Sequence, residues 1–231
     1  MSFRNLSILL FAFFLPNFMI AQEHDVDSLI SILNQEITQQ QEVEILIELA
    51  KAYKDMDTLM VHQYAERALD ISTRVKYDKG LVDVWMIKGN IALDIAQYTK
   101  AEKFFQQAYD LAKKDEYLLG MSDALTNLGR IKWNTGLYNE SLEIYQKSLA
   151  IIERVDGPKD VVPLYNNIAL VYYAQGLHDK AIETFEQCLK IYEEEHNQKG
   201  KSRILVNIGL MHLGKGDMEQ ALKYYFTALN N

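Results

Sequence analysis

The sequence of this 231-residue chain repeats one pattern at a fixed interval, with copies that begin at positions 101, 141, 181 and 221, and the repetition limits the folds that it can adopt. The repeated pattern is a small residue, an aromatic residue four positions later and a second small residue three positions after that. Because positions i, i+4 and i+7 lie on one face of an α-helix, the pattern predicts a helix that packs through a small–aromatic–small stripe. The four copies are Ala101, Phe105 and Ala108; Ser141, Tyr145 and Ser148; Ala181, Phe185 and Cys188; Ala221, Tyr225 and Ala228.

A second set of positions has the same period and lies twelve residues before each stripe. Glycine inside a helix costs about 1 kcal/mol relative to alanine, so a recurring glycine predicts a close contact between two helices. A third set lies between the other two, where a left-handed residue would end the first helix of a pair. Each unit is therefore predicted to be a helix, a tight turn and a second helix, with a further glycine expected between units. The second set is Gly89, Gly129, Ala169 and Gly209; the turn set is Gly136, Gly176 and Gly216; the set between units is Gly80, Gly120 and Gly200.

A weaker copy of the stripe, at Val61, Ala65 and Ala68, precedes the four clear copies and brings the number of helix pairs to five. More than three stacked repeats can bury a continuous core, so we expect one array over residues 42–231. A lead-in helical segment is expected at residues 22–41. The predicted pairs span about residues 42–76, 80–114, 120–155, 160–195 and 200–231.

At these positions the chain resembles the tetratricopeptide repeat family, in a form with a 40-residue period that is typical of exported bacterial proteins. The match is a glycine in the first helix followed twelve residues later by the stripe of the second, as in Gly129 and Ser141, Tyr145, Ser148. The resemblance implies an all-α fold, a right-handed helical solenoid of about five helix pairs, with the first helices lining a concave groove. The family's usual period is 34, and its typical proline at the end of each repeat is missing here, so longer helices are expected.

The groove face of the first helices carries an asparagine at the same position of three successive repeats, at Asn127, Asn167 and Asn207. An amide side chain both donates and accepts hydrogen bonds, so a row of asparagines can pair with the backbone of an extended peptide. The resemblance supports this interpretation, because peptide-binding members of the family carry asparagine at this place. The alternative is that these amides tie one helix to the next through hydrogen bonds. The residues themselves leave both interpretations open.

The function predicted from these features is a non-enzymatic scaffold that holds an extended peptide or protein segment in the groove. The three asparagines would bind the ligand, and Arg130 and Arg203 would select its charge. The alternative is the N-terminal sensory fragment of a bacterial membrane signal-transduction protein, whose histidine kinase, cyclase or transcription-regulator output is missing. No polar capping helix follows the apolar residues of the last repeat, which indicates further chain, a partner or self-association through this repeat.

Residues 1–21 have the pattern of a signal peptide. Arg4 precedes an apolar run over residues 6–15, and Ala21 is a small residue at a plausible cleavage point. An uncleaved anchor is the alternative, but the run is shorter than the roughly 20 residues that span a bilayer. We therefore expect cleavage after Ala21 and a periplasmic or secreted product, with a membrane as a partner only if further chain follows.

The remaining sequence features exclude several classes of function. A formal net charge of −8, from 24 basic and 32 acidic residues, disfavours nucleic acid as a partner. The single cysteine, Cys188, rules out a disulfide framework and is expected to be a buried, inert thiol at a small packing position. The segment 209–216 differs from a phosphate-binding loop at one position, because Gly216 stands where the motif requires Ser or Thr. No strand precedes it, as one would in such a loop. No catalytic grouping is present, and the five histidines include no pair at i and i+4. We expect no enzymatic activity, no cofactor and no metal.

Overall fold

A computed structural model describes residues 26–155 and 161–231, and these residues are helical with short turns between the helices. The predicted all-α fold class is confirmed. The chain divides into two compact units, Met1–Ile91 and Ala92–Asn231, the first described from residue 26 onward. The helices are α1 (residues 26–33), α2 (Gln39–Ala52), α3 (Thr58–Val75), α4 (Asp78–Asp94), α5 (Tyr98–Lys114), α6 (Leu118–Asn134), α7 (Tyr138–Ile152), α8 (Val162–Ala174), α9 (His178–Glu194), α10 (Gln198–Gly214) and α11 (Met218–Leu229).

Three of the sequence predictions fall on residues outside the described ranges. They are the signal peptide at residues 1–21, the first part of the lead-in segment, and the boundary near residues 156–160 between the third and fourth helix pairs. Among the residues that are described, no helix combines the length and the apolar character needed to cross a bilayer.

Helix α2 begins at Gln39, three residues before the start expected at residue 42, because a capping box fixes its first turn. The Gln41 backbone N–H donates to Thr38 Oγ1 (3.2 Å), and the Thr38 backbone N–H donates to Gln41 Oε1 (2.9 Å). These two bonds satisfy backbone donors that have no partner within the helix.

Each compact unit has its own apolar core between consecutive helices. In the first unit, Leu46 of α2 and Ala65 of α3 are buried in one cluster with Val84 of α4. In the second unit, each helix from α5 to α11 packs on the next one. Its cores lie between α7 and α8 and among α8, α9 and α10; the second of these is built around Phe185 and Cys188.

In two of the four stripes the aromatic residue lies against a glycine of the preceding helix. A Cβ atom on Gly129 would stand 2.5 Å from Cε1 of Tyr145, and one on Gly209 would stand 2.6 Å from Cε1 of Tyr225. Real Cβ atoms do not approach other carbons so closely, so each ring rests directly on helix backbone. The predicted close helix contact is confirmed at these two glycines.

The turns inside the last three helix pairs use left-handed glycines, as predicted. Gly136, Gly176 and Gly216 have φ angles of 77°, 74° and 81°. This region is open to glycine without the steric cost that a side chain brings. The φ angles confirm the assignment of these three glycines to the turns.

The prediction that Gly80, Gly120 and Gly200 lie between units is wrong. All three lie in the first turns of α4, α6 and α10, and the left-handed residues between units are Lys76, Glu116 and His196. Close packing explains two of these glycines. A Cβ atom on Gly200 would stand 2.7 Å from Cδ1 of Tyr192, and one on Gly80 would meet Tyr77 and Val43.

The contact between Gly129 and Tyr145 yields a test of this packing. Gly129→Ala is expected to lower the free energy of unfolding by about 1–3 kcal/mol, because the new methyl group overpacks a fully buried ring. In a Tyr145→Val background the same change is expected to be neutral or stabilising, since alanine is the better helix former by about 1 kcal/mol. Urea unfolding of the four proteins of this double-mutant cycle measures the coupling. An equal cost in both backgrounds would contradict the contact.

Candidate functional site

Asn127 and Arg130 are the two expected ligand residues on α6, and they are hydrogen-bonded to each other within that helix. Asn127 is only 8% exposed. Its Nδ2 donates to the backbone carbonyl oxygen of Asp123 (3.0 Å), and its Oδ1 accepts from Nη1 of Arg130 (2.7 Å). The amide of Asn127 is therefore used inside α6, where it fixes the guanidinium of Arg130.

The other three expected residues, Asn167, Arg203 and Asn207, line one recess between α8 and α10. Its volume is about 220 Å³. Asn166 and Tyr192 also line it, with Val162, Pro163 and Ile204. The recess thus combines three amide side chains, a guanidinium and a phenol with an apolar wall. Neither Asn127 nor Arg130 belongs to this lining.

A hydrogen bond between two of the amides links the walls of the recess. Nδ2 of Asn207 on α10 donates to Oδ1 of Asn166 on α8 (3.3 Å). One asparagine of the row therefore ties neighbouring first helices together, which is what the structural interpretation of the sequence expected. The same two amides also line the recess, where their remaining donors and acceptors can reach a ligand.

Asn166 is a site residue that the sequence analysis missed. The equivalent positions in the other repeats hold Met86, Thr126 and Val206, so no repeating signal marks it. The only sequence signal is its place beside Asn167. Asn167 recurs with the 40-residue period and Asn166 does not, so the period identifies only Asn167.

The local packing of α10 brings Tyr192 to the recess. The Asn197 side chain accepts a hydrogen bond from the backbone N–H of Gly200 (2.9 Å) and so caps the start of α10. Because Gly200 has no Cβ atom, the ring of Tyr192 can lie against this first turn. The end of α9 and the start of α10 are held close together, and the phenol becomes part of the wall.

Cys188 lies in the core beside the recess and is fully buried, as predicted. Its Sγ is 3.8 Å from the backbone carbonyl oxygen of Val162, a residue of the recess wall. Burial raises the pKa of the thiol to about 12. Since the thiolate is the reactive form, the raised pKa disfavours reaction of this thiol at neutral pH.

The remaining motifs form ordinary elements of the repeat. The glycine-rich segment 209–216 is the end of α10 and the turn after it, with Gly216 in the left-handed conformation. Within residues 26–155 and 161–231, no three His, Cys, Asp or Glu side chains are grouped to hold a metal ion.

Comparison with family models places tetratricopeptide repeats over most of the second unit and part of the first. One tetratricopeptide repeat model matches residues 120–194 and 160–231, and a second matches residues 82–115. No curated protein sequence is similar enough to the chain to count as a relative.

Several solved structures share the fold. BtubC (BKLC) from P. vanneervenii has 19% sequence identity and a TM-score of 0.74, over 91% of this chain and 88% of BtubC. A Rap protein in complex with competence and sporulation factor has 22% identity and a TM-score of 0.77, over 96% of this chain and 62% of Rap. Aspartyl phosphate phosphatase F from Bacillus subtilis has 16% identity and a TM-score of 0.64, over 91% of this chain and 68% of the phosphatase. At these identities the similarity concerns the fold alone.

The burial of Cys188 predicts slow modification of the folded chain. With a maleimide reagent at pH 8, labelling is expected to be slower than that of an unstructured peptide thiol by about 100-fold or more, because burial both blocks access and suppresses the thiolate. The urea-unfolded chain is expected to react at the rate of the peptide, which serves as the internal control. Labelling of the folded chain at that same rate would show an exposed thiol instead.

Proposed function

We propose that this chain, which belongs to the tetratricopeptide repeat family, is a non-enzymatic scaffold that binds an extended segment of peptide or protein. The observation that carries the proposal is the recess between α8 and α10. It gathers Asn167, Arg203 and Asn207, all expected from the sequence to face a ligand, and adds Asn166.

The side chains of the recess suit a peptide backbone. Each amide offers two N–H donors and one carbonyl oxygen, so the asparagines can pair with both backbone N–H and C=O groups of an extended strand. A volume of about 220 Å³ is below the range of about 300–1,000 Å³ typical of pockets for small-molecule ligands. The recess is therefore suited to one residue of a longer chain.

The arginines would add a preference for negative charge. Arg203 is exposed at the edge of the recess, and Arg130 is half-buried and fixed by Asn127. A guanidinium presents several N–H donors in a planar fork that matches a carboxylate. We expect acidic residues in the ligand, with Arg203 contacting them at the recess and Arg130 contacting them separately on α6. In this proposal Asn127 positions Arg130 instead of touching the ligand.

The structural comparisons support a protein or peptide as the partner. The Rap structure holds competence and sporulation factor, and its fold is similar to that of this chain. A likeness at 22% identity does not carry over any particular ligand, so the class of ligand rests on the chemistry of the recess.

Two further parts of the proposal concern export and self-association. Residues 1–21 would direct the chain across the cytoplasmic membrane, and the last helix pair, α10 and α11, would carry contacts between copies. The apolar side chains of α11 support the second part, since Leu222, Phe226 and Leu229 are all exposed. In the alternative function, as the sensory fragment of a membrane signal-transduction protein, the chain would bind the molecule that it senses in the same groove.

Selection from a library of short random peptides tests the recess. We expect the wild-type chain to enrich acidic peptides, and the combination of Asn167→Ala with Arg203→Glu to lose them. Loss of two interface groups, each worth about 1–3 kcal/mol, corresponds to a fall in affinity of more than about 30-fold. The control is Lys190→Glu, which reverses an exposed charge on α9 away from the recess and is expected to leave the selection unchanged.

Thermal melting separates ligand contact from a structural role. Asn167→Ala is expected to leave the melting temperature within a few degrees of wild type, because no core packing is lost. In the peptide selection, enrichment of the same peptides by wild type and by the variant with Asn167→Ala and Arg203→Glu would show that the recess is not the ligand site. A large fall in melting temperature would instead favour the structural interpretation of the asparagines.

Expression in a bacterial host tests export. We expect the chain in the periplasmic fraction, with an intact mass that lacks residues 1–21 and an N-terminus at Gln22. Replacing Leu9 and Leu10 by Asp should retain the full-length chain in the cytoplasm. Recovery of the unprocessed wild-type chain from the membrane fraction would indicate an uncleaved anchor.

A further inference from the structure

A second cavity, of about 350 Å³, is lined by residues of α7, α8 and α9, and we call it the α7–α9 pocket. Its volume lies within the range of about 300–1,000 Å³ typical of sites that bind small molecules, whereas that of the recess lies below it. The lining residues that bear on a ligand are Leu149, Tyr165, Ile168, Tyr172, Lys180 and Glu183.

The α7–α9 pocket and the recess lie on opposite sides of α8. The α8 residues of the pocket are Tyr165, Ile168 and Tyr172. At 3.6 residues per turn, they are centred about 160° around the helix from the α8 residues of the recess. The two cavities share no lining residue. A ligand in the pocket would therefore leave the recess free, and this inference goes beyond the proposed function without resting on it.

In the preceding repeat an ion-pair network joins the equivalent helices. Nζ of Lys132 on α6 lies 3.1 Å from Oε1 of Glu102 on α5 and 3.7 Å from Oε2 of Glu140 on α7. The lysine thus links the two second helices on either side of it, and its charge is paired within the protein.

Three changes remove this network from the next repeat. Leu142, Tyr172 and Lys180 stand at the positions of the first glutamate, the lysine and the second glutamate. Nζ of Lys180 lies 5.6 Å from the centre of the Tyr172 ring, and within residues 26–155 and 161–231 Lys180 forms no ion pair. A cation in the first turn of a helix opposes the helix dipole, so its position does not stabilise α9. The pocket is left with an unpaired ammonium group.

Glu183 adds a negative charge beside Lys180. The two residues are three apart on α9, so they are neighbours on its surface. Both are exposed, and Glu183 likewise forms no ion pair within the part of the chain that the structure describes. The α7–α9 pocket thus has one ammonium and one carboxylate next to each other, and the charges of its lining sum to zero.

Two tyrosines give the pocket an aromatic wall that differs from the neighbouring repeats. Tyr165 replaces a leucine that is buried at both equivalent positions, 125 and 205, and its Oη donates a hydrogen bond to Oε1 of Glu153 (3.3 Å). Tyr172 stands where the neighbouring repeats have lysine and histidine. Both rings are half-buried, so each keeps apolar surface that a ligand can remove from water.

We propose that the α7–α9 pocket binds a free α-amino acid with an apolar side chain. The carboxylate of the ligand pairs with Lys180, its ammonium group pairs with Glu183, and its side chain covers the tyrosine rings. A purely anionic or purely cationic ligand would leave one of the two protein charges unpaired, whereas a zwitterion satisfies both. The charged groups of an α-amino acid are attached to one carbon atom, which suits two side chains that are neighbours on one helix.

Equilibrium dialysis of the full chain against radiolabelled L-phenylalanine tests the site. We expect saturable binding of one molecule per chain. Phenylpropanoate, which lacks the ammonium group, and phenylethylamine, which lacks the carboxylate, should each compete more weakly than phenylalanine by about 10-fold or more, because each loses a charge-assisted hydrogen bond.

Neutral variants assign the two charged contacts. In Glu183→Gln, phenylalanine and phenylpropanoate should bind with similar affinity, because the ammonium group no longer has a charged partner. In Lys180→Gln, phenylalanine and phenylethylamine should do so for the corresponding reason. The controls are Glu186→Gln and Lys190→Gln, which remove exposed charges of α9 outside the pocket and should keep the wild-type order of affinities.

A triple variant tests the location of the site. Leu142→Glu, Tyr172→Lys and Lys180→Glu together copy the ion-pair network of the preceding repeat, which this fold already accommodates. We expect the variant to remain helical by circular dichroism and to lose phenylalanine binding. If it does not fold, the two neutral variants still test the location.

Each remaining outcome would overturn a stated part of the proposal. Absence of saturable binding at millimolar phenylalanine would overturn the site itself. Equal binding of phenylalanine and phenylpropanoate by the wild-type chain would overturn the assignment of an amino acid. Phenylalanine binding that survives in the folded triple variant would overturn the location. The peptide selection reports on the recess independently, so failure of either proposal leaves the other standing.

Discussion

The ring of Tyr145 lies on the backbone of Gly129, and the ring of Tyr225 lies on that of Gly209 in the same way. This contact sets how closely the two helices of a pair approach, because any side chain at the glycine would push the ring away. The close approach buries one face of the first helix and leaves another face available to neighbouring repeats.

The recess depends on a second contact of the same kind, made between repeats instead of within one. Tyr192 at the end of α9 packs on Gly200 at the start of α10 and also lines the recess. The side chains that would meet a ligand thus come from α8, α9 and α10 together. A ligand bound there would contact two consecutive repeats and would stabilise their packing against each other.

The sequence was sufficient to predict the structural features that recur in every repeat. It was misleading where a residue has a structural role that its equivalents in the other repeats do not suggest. The period predicted the buried aromatic stripe and the left-handed Gly136, Gly176 and Gly216. It failed for Gly200, because glycine is required there by a tyrosine ring and not by a turn. It also passed over Asn166, which bonds to Asn207 but has no counterpart in the other repeats. Spacing along a chain identifies what recurs, whereas a contact between two repeats can be unique.

Sequence alone determined that this chain forms helix pairs, which faces of those helices are buried, and that an asparagine recurs on a face outside the core. These properties follow from the local geometry of the α-helix, which is the same in every repeat. Only the tertiary structure decided what each asparagine does. Asn127 has Arg130 one turn away and bonds to it, whereas leucine stands at the corresponding positions 170 and 210. Asn167 and Asn207 lie at the recess between α8 and α10, and Asn207 bonds to Asn166 on the neighbouring helix. Such a contact depends on how two repeats pack, which the local geometry of one helix does not determine.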